Sequence, residues 1–177
     1  MGKRVAIIGA GGIGFDVAEF LCHKGPSTAL DRDEFMKEWG VDTQFEARGG
    51  LTTAKHSDPA RNITLCQRKT GKLGAGLGKT TGWIHRSTLK QAGVQMLSGC
   101  SYTRIDDQGL HLTVNGEPKI LEVDHVVICA GQVPARELAD TLESKGQAFH
   151  LIGGADVAAE LDAKRAIHQG TRLACDL

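Results

Sequence analysis

Four glycines near the amino terminus have the spacing that phosphate chemistry needs, in the run Gly9-Ala10-Gly11-Gly12-Ile13-Gly14. Arg4-Val5-Ala6-Ile7-Ile8 precedes it and Asp16-Val17-Ala18-Glu19-Phe20-Leu21 follows. The apolar run reads as a buried parallel strand and the second segment as a helix. Gly9 permits a tight turn out of the strand. Gly11 has no side chain, so a pyrophosphate can approach the backbone. Gly14 lets the helix lie close on the strand. The first helical N–H groups and the positive end of the helix dipole then face the phosphates. Val17, Phe20 and Leu21 are the expected apolar stripe of that helix, and Lys24-Gly25-Pro26 its end. A glycine run of this kind is weak evidence alone and specific when set between a strand and a helix. The competing interpretation is a glycine-rich turn in an α/β protein without a ligand.

The next strand, Asn62-Ile63-Thr64-Leu65-Cys66, runs into Gln67-Arg68-Lys69. In a dinucleotide fold specific for NAD, an acid at this place accepts from the ribose 2′-hydroxyl. Here Gln67 stands instead, and Arg68 and Lys69 would hold a 2′-phosphate that an acid would repel. Lys72 and Lys79 add to the field. NADP(H) is therefore expected over NAD(H); the alternative is a cationic loop that is merely solvated. The stretch from Gly71 to Lys79 superficially matches an ATP-type phosphate loop. Its spacing fails, because the motif needs four residues between its first glycine and Gly78-Lys79-Thr80, and Gly71, Gly74 and Gly76 leave six, three and one.

Bulk properties narrow the classes. The 177 residues suit one domain, or one domain and part of another. Lys plus Arg and Asp plus Glu both number 21, leaving no basic excess for nucleic acid or an anionic membrane. Apolar runs stay far short of a membrane span, and Lys3-Arg4 leads straight into a strand rather than a signal peptide. The five cysteines are scattered, without a C-x-x-C pair. They suggest buried thiols in a reducing cytoplasm, and argue against a C-x-x-C redox disulfide or cysteine-rich ligation of zinc or iron–sulfur. The seven histidines lack metal-ligand spacing. No metal site and no catalytic residue is expected within the chain.

Between the first helix and the second strand lies an insertion, residues 24–61. It holds a short helix at Asp33–Trp39, then a loop around Gly49-Gly50-Leu51. A helix over Thr81–Gln91 should turn Trp83, Ile84 and Leu89 inward, and Val94–Leu97 should form a strand. Ser101–Ile105 and Leu110–Val114 read as a hairpin, and Asn115-Gly116 as a second turn before Ile120–Val123. Val126-Val127-Ile128-Cys129-Ala130-Gly131 reads as a buried strand ending on glycine. The class is α/β: a Rossmann-like nucleotide-binding domain, with a parallel sheet plus an antiparallel hairpin layer, over residues 1–134. Residues 135–177 differ. They hold a short helix at Glu137–Lys145, a strand at Ala148–Ile152, and an amphipathic helix at Asp162–Cys175 carrying Ala166, Ile167 and Leu173 with Leu161 beside it. This looks like the last piece of a second domain.

Three runs carry a resemblance: the opening glycines, Val127–Pro134, and Leu151-Ile152-Gly153-Gly154-Ala155-Asp156. Together they resemble flavoproteins with two dinucleotide-binding domains, such as glutathione reductase. Phe35-Met36-Lys37-Glu38-Trp39-Gly40 and Gly153–Asp156 with Ala159-Glu160-Leu161-Asp162-Ala163 look closer still to the C-terminal NADPH/FAD region of bacterial 2,4-dienoyl-CoA reductase. That family groups with trimethylamine dehydrogenase among iron–sulfur flavoproteins. The resemblance spans essentially the whole chain.

It implies an N-terminal (β/α)8 barrel with FMN, a [4Fe–4S] cluster, and hydride delivery from NADPH to FAD for dienoyl-CoA reduction in fatty acid β-oxidation. It implies that Gly9, Gly11, Gly12, Ile13 and Gly14 hold the NADPH pyrophosphate, and that Gln67, Arg68, Lys69 and Lys72 surround the 2′-phosphate. Ala130, Gly131 and Gln132 would pass beside the nicotinamide. Gly154, Ala155, Asp156, Leu161, Asp162 and Ala163 would line FAD, with the helix near Asp162 aimed at the isoalloxazine. The barrel, the cluster cysteines and the flavin domain's first βαβ unit are not in this sequence. The chain is thus expected to be part of a longer, cytoplasmic polypeptide whose barrel and flavin half-domain are its partners, with dimer contacts open to the exposed tail. Two alternatives stand beside this. One is a trimethylamine- or histamine-dehydrogenase-type module with a structural ADP, against which Arg68-Lys69 argues. The other is a stand-alone NADP(H)-binding interaction module, against which the tail argues.

Overall fold

The computed structural model describes residues 1–159 and 162–177. Its contacts divide the chain into two units, Met1–Ala130 and Gly131–Leu177.

The first unit is built on four parallel strands: β1 (Arg4–Ile8), β2 (Asn62–Cys66), β3 (Gln95–Leu97) and, late in the chain, β7 (His125–Ile128). Their order is β3-β2-β1-β7. Side chains alternate across β1 and so commit it to two cores. Val5 and Ile7 face α1 (Gly12–Cys22) and α3 (Gly82–Gln91), packing with Phe15, Ala18, Leu21, Leu65 and Leu89. Ala6 and Ile8 face the other way, against Cys66, Cys100, Leu110, Leu112 and Leu121. This second cover is an antiparallel sheet of β4 (Cys100–Asp106), β5 (Gly109–Val114) and β6 (Glu117–Leu121). A strand buried on both faces must be apolar throughout, as Val5–Ile8 is. Asn115 and Gly116 turn β5 into β6 with positive φ angles of 52° and 92°. That tight turn starts β6 at Glu117, ahead of the expected Ile120.

Two expectations about helix faces are corrected. Phe20 is 78% exposed, and Trp83 and Ile84 are also exposed. At 100° per residue, Phe15, Ala18 and Cys22 share a face that Phe20 does not, and Gly82 shares one with Leu89 rather than with Trp83. The insertion forms a short 3-10 turn, then α2 (Arg32–Glu38), which Asp31 caps by accepting from Asp33 and Glu34 N–H. It closes through a bridge between Val41 and Leu51. Ala60 N–H donates to Cys22 O, and Arg61 donates to Leu21 O. Both bonds satisfy carbonyls that the end of α1 leaves open.

In the second unit α4 (Glu137–Ser144) and α5 (Ala163–Asp176) form as expected within a residue or two. The strand expected at Ala148–Ile152 does not form; the segment is irregular and leads into a 3-10 turn at Gly153–Ala155. A strand needs a neighbour for its N–H and C=O groups, and among the described residues of this unit there is none. Leu161, expected to line the flavin, lies outside the described residues.

Candidate functional site

The strand order changes direction between β1 and β7: β2 and β3 extend to one side of β1 and β7 lies on the other. In open parallel sheets the crevice at such a point, beyond the C-terminal strand ends, is where ligands sit. The glycine run emerges there, and its members play different parts. Gly9 takes φ +111°, and a Cβ on it would stand 2.5 Å from Cys129 O. A Cβ on Gly14 would stand 1.8 Å from Gly9 O, so this glycine is what lets α1 approach the turn. Gly11 and Gly12 have open space where a Cβ would be. Gly11 is the N-cap of α1 and no side chain caps the helix. The first N–H groups of α1 therefore face that space without a protein partner from a cap. Ile13 is exposed. Two glycines are required by packing and two leave room, which fits a pyrophosphate at the helix terminus.

The C-terminal ends of β1 and β2 are flush, with Ile8 opposite Cys66. Gly9 N–H donates to Cys66 O at 2.9 Å. Arg68, Lys69 and Lys72 leave β2 from that level and are exposed. None is in an ion pair among the described residues. Exposed cations on the loop after a strand whose end is level with the glycine turn suit a 2′-phosphate next to the pyrophosphate. Gln67 is partly buried, and its Nε2 donates to Lys69 O at 2.9 Å. Its amide thus shapes the loop that carries the cations.

Sequence reasoning missed what fixes that loop. Lys69 O also accepts from Gly99 N–H at 3.1 Å. Farther on, Leu73 is buried in the helical core with Phe15, and Leu77 packs on its edge. Gly74 takes φ +67°, and a Cβ there would stand 2.7 Å from Phe15 Cζ. An apolar Leu73 inside a polar, glycine-rich run was the available signal. Cys66, behind the loop, is sealed away: burial first, then Cys100, pushes its thiol up to about 12. It is held as a protonated packing group.

Ala130 closes the first unit beyond β7, its N 3.0 Å from where a Gly9 Cβ would stand. Gly131 turns with φ +84°. In the second unit an open cavity of about 400 Å³ is lined by Gln132, Val133, Ala135, Gly154, Ala155 and Ala158. It brings Gln132 together with Gly154 and Ala155, far apart in sequence. Arg136 donates from Nε to Ala155 O (3.0 Å) and from Nη2 to Asp156 O (2.6 Å), which braces the turn. Asp156 accepts from Gln169 Nε2, and Gly153 N–H donates to Gln169 Oε1. Asp162 Oδ1 accepts from Arg165 N–H at 2.7 Å, so the start of α5 at Ala163 is capped from within the chain. Gly154 and Ala155 are half-buried at the edge of this cavity, which leaves room for a flavin edge, while Ala155 O, Asp156 and Asp162 keep only part of their accepting capacity for it.

Among the described residues no cluster of three or more His, Cys, Asp or Glu side chains is placed to hold a metal. No helix among them is long and apolar enough to cross a membrane.

A parallel sheet with an uncapped glycine turn at its switch point and an antiparallel cover on one face defines a nucleotide-binding domain. Residues 1–164 match the family described as pyridine nucleotide-disulphide oxidoreductase, and the chain belongs to that family. It is a pyridine nucleotide-dependent flavoprotein oxidoreductase domain, of a family that binds FAD and NAD(P)H. A "Metal reductase" of Desulforamulus reducens is 26% identical over 170 residues, 95% of this chain and 24% of that protein. The structure of a 2-naphthoyl-CoA reductase complexed with 2-naphthoyl-CoA superposes with a TM-score of 0.63 at 17% identity, over 96% of this chain and 20% of that one. The chain thus spans about a quarter or less of these relatives.

Proposed function

We propose that this chain is the NADPH-binding portion of a larger 2,4-dienoyl-CoA reductase that also carries FAD, FMN and a [4Fe–4S] cluster, and that it presents NADPH for hydride transfer to FAD. The observation that carries the nucleotide part is the exposed cations Arg68, Lys69 and Lys72, in no ion pair among the described residues, on the loop after β2, whose end is flush with the strand that leads into the open glycine turn. The helix terminus binds the pyrophosphate, the cations select the 2′-phosphate, and Gly131-Gln132 continues past the nicotinamide. In the second unit Gly154, Ala155 and Asp156 hold one edge of FAD, which supplies hydride acceptance when bound; the chain contributes orientation rather than acid or base. The acyl-CoA part is supported by the sequence runs at Phe35–Gly40 and Gly153–Asp156, and by a likeness of fold to a reductase whose name includes an acyl-CoA.

Calorimetric titration with NADPH, NADH and ADP tests the nucleotide part. NADPH should bind best, and Arg68→Ala or Lys69→Ala should each weaken it by ~1.5–3 kcal/mol without affecting NADH. Equal binding of ADP and NADPH supports a structural-nucleotide module instead. The substrate part is tested in the complete polypeptide by NADPH oxidation with a 2,4-dienoyl-CoA against Fe(III) citrate. Turnover with the metal alone would shift the reading toward the relative named as a metal reductase.

A further inference from the structure

The cations at the end of β2 sit on an arch, Thr70-Gly71-Lys72, whose two feet are fixed differently. The first foot is Lys69 O, held by Gly99 N–H and Gln67 Nε2. The second is Gly74 O, which accepts from Leu77 N–H at 3.2 Å and from Arg86 Nη1 at 3.0 Å. Arg86 comes from α3, well outside the nucleotide loop in sequence. Gly82, one turn earlier on α3, leaves the passage it uses: a Cβ there would lie 3.3 Å from Arg86 Nη1 and 2.9 Å from Leu77 Cβ. Arg86 is half-buried and has no ion pair among the described residues, so its guanidinium is committed to a backbone carbonyl.

We infer that Arg86 is a positioning residue which, by pinning Gly74 O, holds the Lys72 arch in place and so sets the preference for a 2′-phosphorylated adenosine. The inference rests on the NADPH reading above. An arch fixed at both feet loses little conformational freedom when it binds an anion; loosened at Gly74, where buried Leu73 and the Leu77 N–H still hold it in part, it must be partly ordered by the ligand. The loss falls on the 2′-phosphate, because that group meets the arch. The pyrophosphate meets α1, whose approach to the turn is set by Gly9 and Gly14.

The test measures affinities of the chain for adenosine 2′,5′-bisphosphate and for 5′-AMP, which differ only in the 2′-phosphate. Wild type should favour the bisphosphate. Arg86→Ala should cut that ratio by about tenfold, the size of one charge-assisted hydrogen bond, while 5′-AMP affinity stays within about twofold. Arg86→Lys, which keeps a cationic donor, should recover part of the ratio. Lys72→Ala should cost less in the Arg86→Ala background than in wild type, since the two act through one arch. An unchanged ratio, an equal loss for both ligands, or strict additivity with Lys72→Ala would each overturn the inference while leaving the NADPH reading standing. A wild type without preference for the bisphosphate would remove that reading and the inference with it. Should Arg86→Ala fail to fold, Arg86→Gln, which keeps the stem and loses the charge, is read by the same ratio.

Discussion

Two helices of this chain begin in opposite ways. At α1 the N-cap is Gly11, no side chain caps the helix, and the neighbouring Cβ positions are open space. At α5 the N-cap is Asp162, whose carboxylate takes Arg165 N–H. An uncapped N-terminus keeps its donors and positive field for a ligand, whereas a capped one has spent part of both internally. The bodies differ too. α1 buries Phe15, Ala18, Leu21 and Cys22, while α5 buries no residue and exposes Ile167. The first helix is locked to its sheet and open at its tip; the second is closed at its tip and open along its side.

That contrast can be broken most sharply at Gly14. Gly14→Ala places a methyl where Gly9 O already is, and should destabilise the first unit by about 3 kcal/mol or more. Thermal unfolding checks it, and a melting temperature equal to wild type would mean that α1 does not need the close approach. Gly11→Ala meets nothing within 4 Å among the described residues. It should leave the melting temperature nearly unchanged and weaken NADPH by about tenfold, since only the ligand would meet the methyl. Titration calorimetry separates the two glycines.

At α5, Asp162→Ala should cost about 1 kcal/mol of helix stability and leave NADPH affinity untouched. Hydrogen exchange along α5, compared with the same titration, reads both. The smallest effect is expected where β1 and β7 begin. Asp124 Oδ2 accepts from Arg4 N–H at 2.9 Å, and its Oδ1 from the guanidinium at 2.8 Å. These bonds, the backbone one first, hold its carboxyl below the ordinary value of 3.8. A carboxyl lowered by folding adds stability that is complete above its unfolded pKa and lost as pH falls through the folded one. Asp124→Asn should therefore lower the melting temperature near pH 6 by a small amount. The gap should close as pH falls below about 4; a gap unchanged at pH 3 would assign the effect to geometry rather than charge.

The parts of the site that depend on neighbours in sequence were legible. Gly9, Gly11 and Gly14 are spaced for turn, approach and packing, and the absence of an acid after Cys66 exposed the cationic loop. The succession of strands along the chain through β7 also followed from apolar runs and turn residues, though not their order in the sheet. Helix faces were less so, because hydrophobicity alone put Phe20 and Trp83 inward, where helical phase leaves them exposed. The segment Ala148–Ile152 has a strand's composition without a strand's partner.

The sequence by itself determined the four-residue buried run, the glycine turn and the cations beside it, since each is a matter of residue type and local spacing. Only the tertiary structure decided that the second face of the sheet is covered by β4, β5 and β6. It alone put Gln67 to work on Lys69 O, and joined Arg86 to Gly74 across twelve positions. The physical reason is one of range. Backbone conformation and alternation of faces act between near neighbours, whereas a hydrogen bond to a distant carbonyl exists only once packing has brought donor and acceptor together.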